Sequence, residues 1–238
     1  MKWKLLAIVA TPLLLAACQQ QAQPSKTENP SQGVSKADAA TAPRGDETVI
    51  LALGDSLFAG YGLEPGQSYP AHLETALNAK GIKARIVNAV VSPETPAGGL
   101  QRIDFVLSSL AQKPSLAIIS LGGNDMLRGL SPEETRKNLD AILAKFKAQG
   151  IPVLLLGMLA APNLGADYAG KFNPVYPALA KKYEARLVPF FLQPLMDKPQ
   201  LVQADHIHPT LAGIDVLVAD TVDTVAGALP KGAEPVRR

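Results

Sequence analysis

Cysteine is nearly absent: the 238 residues hold one, Cys18. No intramolecular disulfide can form, so a folded domain must be held by its own apolar core. A charge imbalance is missing too. Lys and Arg number 23 against 21 Asp and Glu, and with no basic stripe the chain lacks the electrostatic footprint of a nucleic-acid binder. Histidine occurs three times, as His72, His206 and His208. His206 and His208 lie with Asp205 near metal-ligand spacing, but no third ligand cluster appears and His72 falls in a helix-like stretch, so no metal is expected. No apolar run reaches the roughly 20 residues of a bilayer-spanning helix. The stretch from Leu5 to Ala17 is shorter and is interrupted by Thr11 and Pro12.

What the N-terminus does contain is informative. Lys2 and Lys4 precede that apolar stretch, which closes on Leu15-Ala16-Ala17-Cys18. A basic start, a short apolar run and small residues at its end describe a secretory signal peptide, expected over residues 1–17. The closing four residues resemble the lipobox of bacterial lipoproteins. That resemblance implies cleavage before Cys18 and acylation of its thiol and new amine. With Gln19 rather than Asp next, it also implies sorting to the periplasmic face of the outer membrane. Residues 18–46 are rich in Gln, Ser, Thr, Ala, Lys and Pro, with Val34 the one large apolar residue. They cannot bury a core and read as a flexible linker. The folded domain is expected over 47–229, long enough for one ordinary core, with a frayed tail over 230–238.

Within that domain, short apolar runs predict strands over Thr48–Leu53, Ala84–Asn88, Leu116–Leu121, Val153–Gly157 and Arg186–Pro189. Helical patterns fall between them, over Pro70–Lys80, Gly99–Ala111, Pro132–Gln149 and Asp167–Tyr183. A last helix follows Pro209, a suitable first-turn residue. Strands alternating with helices predict an α/β domain with a parallel sheet covered on both faces. In such sheets ligands gather beyond the carboxyl ends of the strands.

Three motifs sit where that rule wants them, or close to the C-terminus: Gly54-Asp55-Ser56-Leu57, Gly122-Gly123-Asn124-Asp125 and Asp205-His206-Ile207-His208-Pro209. A serine hydroxyl needs a base to become a nucleophile. His208 is the preferred base, with Asp205 three residues earlier, placed to orient the ring through Nδ1–H. A developing oxyanion needs preset donors, and the candidates are the Ser56 N–H and the Asn124 side-chain amide. Each part has a plainer reading. Gly-Asp-Ser is a common turn, Asn124 could cap a helix, and Asp55 and Asp125 could satisfy loop N–H groups. His206 is expected to point away from Ser56, and His72 to pack on a helix surface.

Taken together, Ala-Leu-Gly-Asp-Ser-Leu at 52–57, Leu-Gly-Gly-Asn-Asp at 121–125 and Asp205-x-x-His208-Pro resemble the GDSL, or SGNH, hydrolase family. Gly60-Tyr61-Gly62, Arg128-Gly129, Ala161-Pro162-Asn163 and Pro189-Phe190-Phe191 extend the resemblance to its bacterial thioesterase, lysophospholipase and arylesterase branch. It covers residue 48 to about 228. It implies a flavodoxin-like three-layer α/β/α sandwich with a five-stranded parallel sheet. It further implies Ser56 as nucleophile, His208 as base and Asp205 as its orienter. Ser56 N–H and Asn124 Nδ2 would donate to the oxyanion. The substrates would be acyl esters or thioesters, with no metal or other cofactor.

One block departs from the pattern. Where the family reads Ser-Gly-Asp-Thr, this chain reads Ser92-Pro93-Glu94-Thr95. The glycine whose N–H is the third oxyanion donor is replaced by Pro93, which has no N–H. A weakened or redirected esterase is therefore expected. The same residues leave room for a carbohydrate O-acetyl esterase, and for an envelope lipoprotein that keeps the fold for binding or scaffolding without turnover.

Overall fold

The computed structural model describes residues 47–230. The signal peptide, Cys18, the linker and residues 231–238 of the tail lie outside the described residues. Five strands form one all-parallel sheet: β1 Thr48–Gly54, β2 Ala84–Asn88, β3 Leu116–Ser120, β4 Val153–Leu156 and β5 Arg186–Val188. Their spatial order is β2-β1-β3-β4-β5. β3 and β4 are buried along their whole length and β1 in all but its first residue, whereas edge strand β5 is partly exposed. Burial on both faces is why the central strands read as unbroken apolar runs rather than alternating ones.

The helices are α1 Ser56–Ala59, α2 Tyr69–Ala79, α3 Pro96–Ser109, α4 Gly123–Leu127, α5 Pro132–Ala148, α6 Gly165–Phe172, α7 Val175–Tyr183 and α8 Leu211–Ala228. From β1 the chain steps outward through α2 to β2, then back through α3 to β3. Right-handed crossovers running in opposite directions put α2 and α3 on opposite faces. α2 packs with α8, and α3 with α5, which in turn packs with α7. The result is the three-layer sandwich expected from the alternating pattern.

The reversal of strand order leaves a crevice between the carboxyl ends of β1 and β3, the usual ligand position in an open α/β sheet. Gly54 is paired with Ser120 in the register, so the two following segments leave the sheet at the same level. Those segments carry Ser56 and Asn124.

Three predicted helices differ in their limits by two residues or more. The helix expected from Gly99 starts earlier, at Pro96, because Thr95 caps it by accepting from the Gly98 N–H at 3.3 Å and proline suits the first turn. The helix expected over 167–183 is two helices. Pro174 has no N–H to continue the ladder, and Asn173 turns its side chain to accept the Ala160 N–H at 2.8 Å. The last helix begins after Thr210, whose hydroxyl accepts from the Gly213 N–H at 3.2 Å. Pro209 stays outside it, bridged in antiparallel fashion to Val202.

Candidate active site

β1 ends on Gly54, and Asp55 caps α1 by accepting the Leu57 N–H on Oδ1 at 3.1 Å. This puts Ser56 at the first helical position. Its N–H is one of the helix-start donors with no acceptor inside the helix. Ser56 Oγ lies 2.8 Å from His208 Nε2. His208 Nδ1 lies 2.6 Å from Asp205 Oδ2. The other carboxyl oxygen, Asp205 Oδ1, accepts the N–H groups of Ile207 (2.9 Å) and His208 (3.0 Å).

Asp205 thus forms a local side-chain turn that folds the loop back on itself and aims the carboxylate at the ring. The backbone N–H of His208, followed by its ring, pulls the Asp205 carboxyl down to about 2. It is a carboxylate throughout the neutral range, which keeps Nδ1 protonated and leaves Nε2 free to accept from Ser56.

Asn124 lies inside α4 rather than at its start. The cap is Gly122, at φ 111°, so the helix-capping alternative for Asn124 is not what the chain does. Asn124 Nδ2 donates to the Glu94 carbonyl oxygen at 3.0 Å and to Asp55 Oδ2 at 3.3 Å. Those two acceptors fix the amide next to the serine turn. Asp55 is buried, and that burial, with help from the Glu94 charge, pushes its carboxyl up to about 7 against the pull of Leu57 N–H and Asn124.

The departing block forms a turn with a cis Ser92–Pro93 peptide, closed by the Glu94 N–H donating to the Val91 carbonyl at 3.0 Å. Pro93 offers no donor, and the neighbouring Glu94 N–H is already committed. Pro93 contributes only an acceptor, its carbonyl, to Arg128 Nη2 at 3.3 Å. Glu94 is buried and paired with Arg102, whose Nε donates to Oε1 at 2.5 Å and whose Nη2 reaches Oε2 and the Ala89 carbonyl. Burial raises the Glu94 carboxyl and Arg102 draws it back.

Of the remaining polar candidates, His206 adopts a left-handed backbone (φ 60°) at the exposed loop tip. It donates its backbone N–H to the Gln203 carbonyl and takes no part at Ser56. His72 bonds Asp215 at 2.7 Å, tying α2 to α8. Asp125 does not satisfy a loop N–H. Its Oδ1 accepts the Thr135 hydroxyl at 2.9 Å, and its Oδ2 is buried without a partner. Among the described residues no group of three or more ligating side chains converges on one point.

Two neighbours escaped the sequence reading. The Tyr61 ring lies over the His208 ring, 4.5 Å between centroids, and Arg102 neutralises Glu94. The Gly60-Tyr61-Gly62 match was the one sequence signal for Tyr61, whose partner His208 is far along the chain, while Arg102, eight residues from Glu94, gave none.

Known proteins resemble this chain over most of the described residues. Residues 52–216 match the model of the GDSL-like Lipase/Acylhydrolase family. The chain is 43% identical over 163 residues to Esterase TesA of Pseudomonas aeruginosa, covering 68% of this chain and 80% of that protein. It is 38% identical over 160 residues to Thioesterase 1/protease 1/lysophospholipase L1 of Escherichia coli, covering 67% and 74%. Among solved structures, the SGNH-hydrolase family esterase AlinE4 is 60% identical, with a TM-score of 0.67 over 79% of this chain and 100% of that one. The chain belongs to the GDSL-like lipase/acylhydrolase family and is a carboxylic ester hydrolase.

Proposed function

We propose that the protein hydrolyses short-to-medium acyl esters, and acyl thioesters of similar size, through an acyl-Ser56 intermediate. The observation that carries this reading is the continuous chain Asp205–His208–Ser56, at 2.6 and 2.8 Å. In the first half-reaction Ser56 Oγ attacks the acyl carbon while His208 Nε2 takes its proton. Asp205 stabilises the resulting imidazolium, which returns the proton to the departing alcohol or thiol. Water, deprotonated by His208, then cleaves the acyl-serine and restores Ser56. The Ser56 N–H and Asn124 Nδ2 are the oxyanion donors, the amide turning partly from its resting acceptors toward the new charge.

Absence of the third donor at Pro93 points to slower turnover, since one such donor is typically worth ~10²–10³ in rate. Pro93 is also the observation that favours the alternative of a binding or scaffolding protein. The N-terminal sequence supports attachment to a bacterial envelope membrane through Cys18. Tethering would raise the effective concentration of lipid-derived esters such as lysophospholipids at the site.

The test is hydrolysis of p-nitrophenyl acetate, butyrate and longer esters by the mature protein and by Ser56→Ala. The parent is expected to turn over the shorter esters, and the variant to lose at least about a thousandfold in kcat. Undiminished hydrolysis by Ser56→Ala would overturn the acyl-serine reading.

A further inference from the structure

Two segments far apart in sequence meet at the candidate reacting atoms: the turn from β1 into α1, and the loop before α8. Besides the Ser56–His208 bond itself, a second polar tie joins them close by. Gln203 Nε2 donates to the Tyr61 carbonyl at 2.7 Å and to the Pro209 carbonyl at 2.8 Å. The Gln203 N–H donates to the His208 carbonyl at 2.7 Å, and the Gln203 carbonyl accepts the His206 N–H at 3.0 Å. One residue therefore closes the histidine loop and bolts it to the turn that follows the serine helix.

The local chain is shaped around that amide. Gly62 has φ +77°, and a Cβ there would lie 2.5 Å from Gln203 Oε1. Any side chain at 62 would push the amide aside. The tie holds in place the Tyr61 ring, which rests on the His208 imidazole at an inclination of 34° although 55% of the residue is exposed. An aromatic face against that imidazole favours the cation formed when His208 takes the serine proton. It also limits how far the ring can swing from Ser56.

We propose that Gln203 is a positioning residue. Its amide sets the Tyr61 turn against the histidine loop, and so holds the Tyr61 ring on the imidazole and the imidazole on Ser56. The proposal rests on the acyl-serine reading. An ångström of misplacement at such a site can cost ~10²-fold, so a loss of at least about tenfold is expected on releasing the tie.

The experiment measures phosphonylation of Ser56 by an alkyl fluorophosphonate, together with kcat and KM for p-nitrophenyl butyrate per labelled site. The proteins are the parent, Gln203→Ala, Gln203→Met, Tyr61→Ala and the Gln203→Ala/Tyr61→Ala double variant. Normalising to labelled sites discounts misfolded protein, and methionine keeps the length of the side chain without its hydrogen bonds. Both Gln203 variants should lose at least about tenfold in phosphonylation rate and in kcat, with KM changed by no more than about twofold. If Gln203 acts through Tyr61, the double variant should be no more than about threefold slower than the slower single variant. Parent-like rates per site in Gln203→Met, or fully multiplicative losses in the double variant, would overturn the positioning role alone. A parent that labels elsewhere than Ser56, or not at all, would overturn the acyl-serine reading and this proposal with it.

Discussion

Asp55 divides its carboxyl between two tasks, with Oδ1 capping α1 at the Leu57 N–H and Oδ2 holding the Asn124 amide. Its burial sets a cost that depends on pH. An acid whose folded pKa stands at about 7, against 3.8 for the free side chain, keeps its proton in the folded state over a range where the unfolded chain has released it. Stability therefore falls as pH rises from about 4 through about 7. Asp55→Asn removes that cost, so its Tm relative to the parent should climb by about 3 °C or more between pH 5 and pH 9, followed by calorimetry. The same change sets an amide against the amide of Asn124, so kcat should fall while stability at high pH improves. A Tm difference that stays constant with pH would rule out Asp55 as the titrating group. At Pro93 the backbone has no N–H to donate. With the Glu94 N–H committed to Val91, Pro93→Gly supplies a donor that no neighbour provides. It should raise kcat on p-nitrophenyl butyrate at least about tenfold. An unchanged rate would mean the pocket works without a third donor, whereas activity appearing only in the variant would favour the scaffolding alternative for the natural chain.

At the scale of elements, the turn from β3 into α4 shows how a helix start is built around one amide. Gly122 sits at φ 111°, and a Cβ there would stand 2.3 Å from the Tyr176 hydroxyl, which donates to the Leu121 carbonyl at 3.0 Å. Gly122→Ala therefore combines backbone strain with a collision inside the core. It should cost about 2–4 kcal/mol, seen as a Tm lower by roughly 5–10 °C. It should also reduce kcat, because Asn124 is two residues along the same helix. The strands were legible in the sequence nearly to the residue, since an apolar run bounded by turns has few other ways to satisfy its backbone. Helix limits were less so. The start at Pro96 was hidden by Gly98, which set the expected start at Gly99, where the missing side chain allows close packing: a Cβ on Gly99 would lie 2.9 Å from Leu121 Cδ1. The break at Asn173-Pro174 was overlooked because the apolar periodicity continues across it.

Over the whole molecule, the strand order β2-β1-β3-β4-β5 places the serine turn and the Asn124 turn on adjacent strands, on either side of the crevice. His208, the proposed base, arrives from far along the chain, held by the loop before α8. The tether expected from residues 18–46 would leave from the opposite end of β1, since Thr48 opens that strand at its amino end. If Cys18 carries lipid, expression in a Gram-negative host should give a membrane-bound protein that incorporates an alkyne fatty acid. Cys18→Ala should then be unlabelled and recovered in the soluble fraction. Equal labelling of both would exclude acylation at Cys18.

The sequence by itself determined the fold class and reaction class. Buried parallel strands must be apolar throughout, and a serine hydrolase must carry a nucleophile, a base, an orienting acid and an amide donor in identifiable turns. It also showed that position 93 supplies no N–H, because proline lacks one whatever its surroundings. Only the tertiary structure decided which groups hold those residues in place. The Gln203 tie, the Tyr61 ring on His208 and the grip of Asp55 on Asn124 join residues separated by up to 147 positions, from Tyr61 to His208. Such contacts leave no periodicity or local spacing to read, since they form only when the sheet brings the ends of its strands to one level.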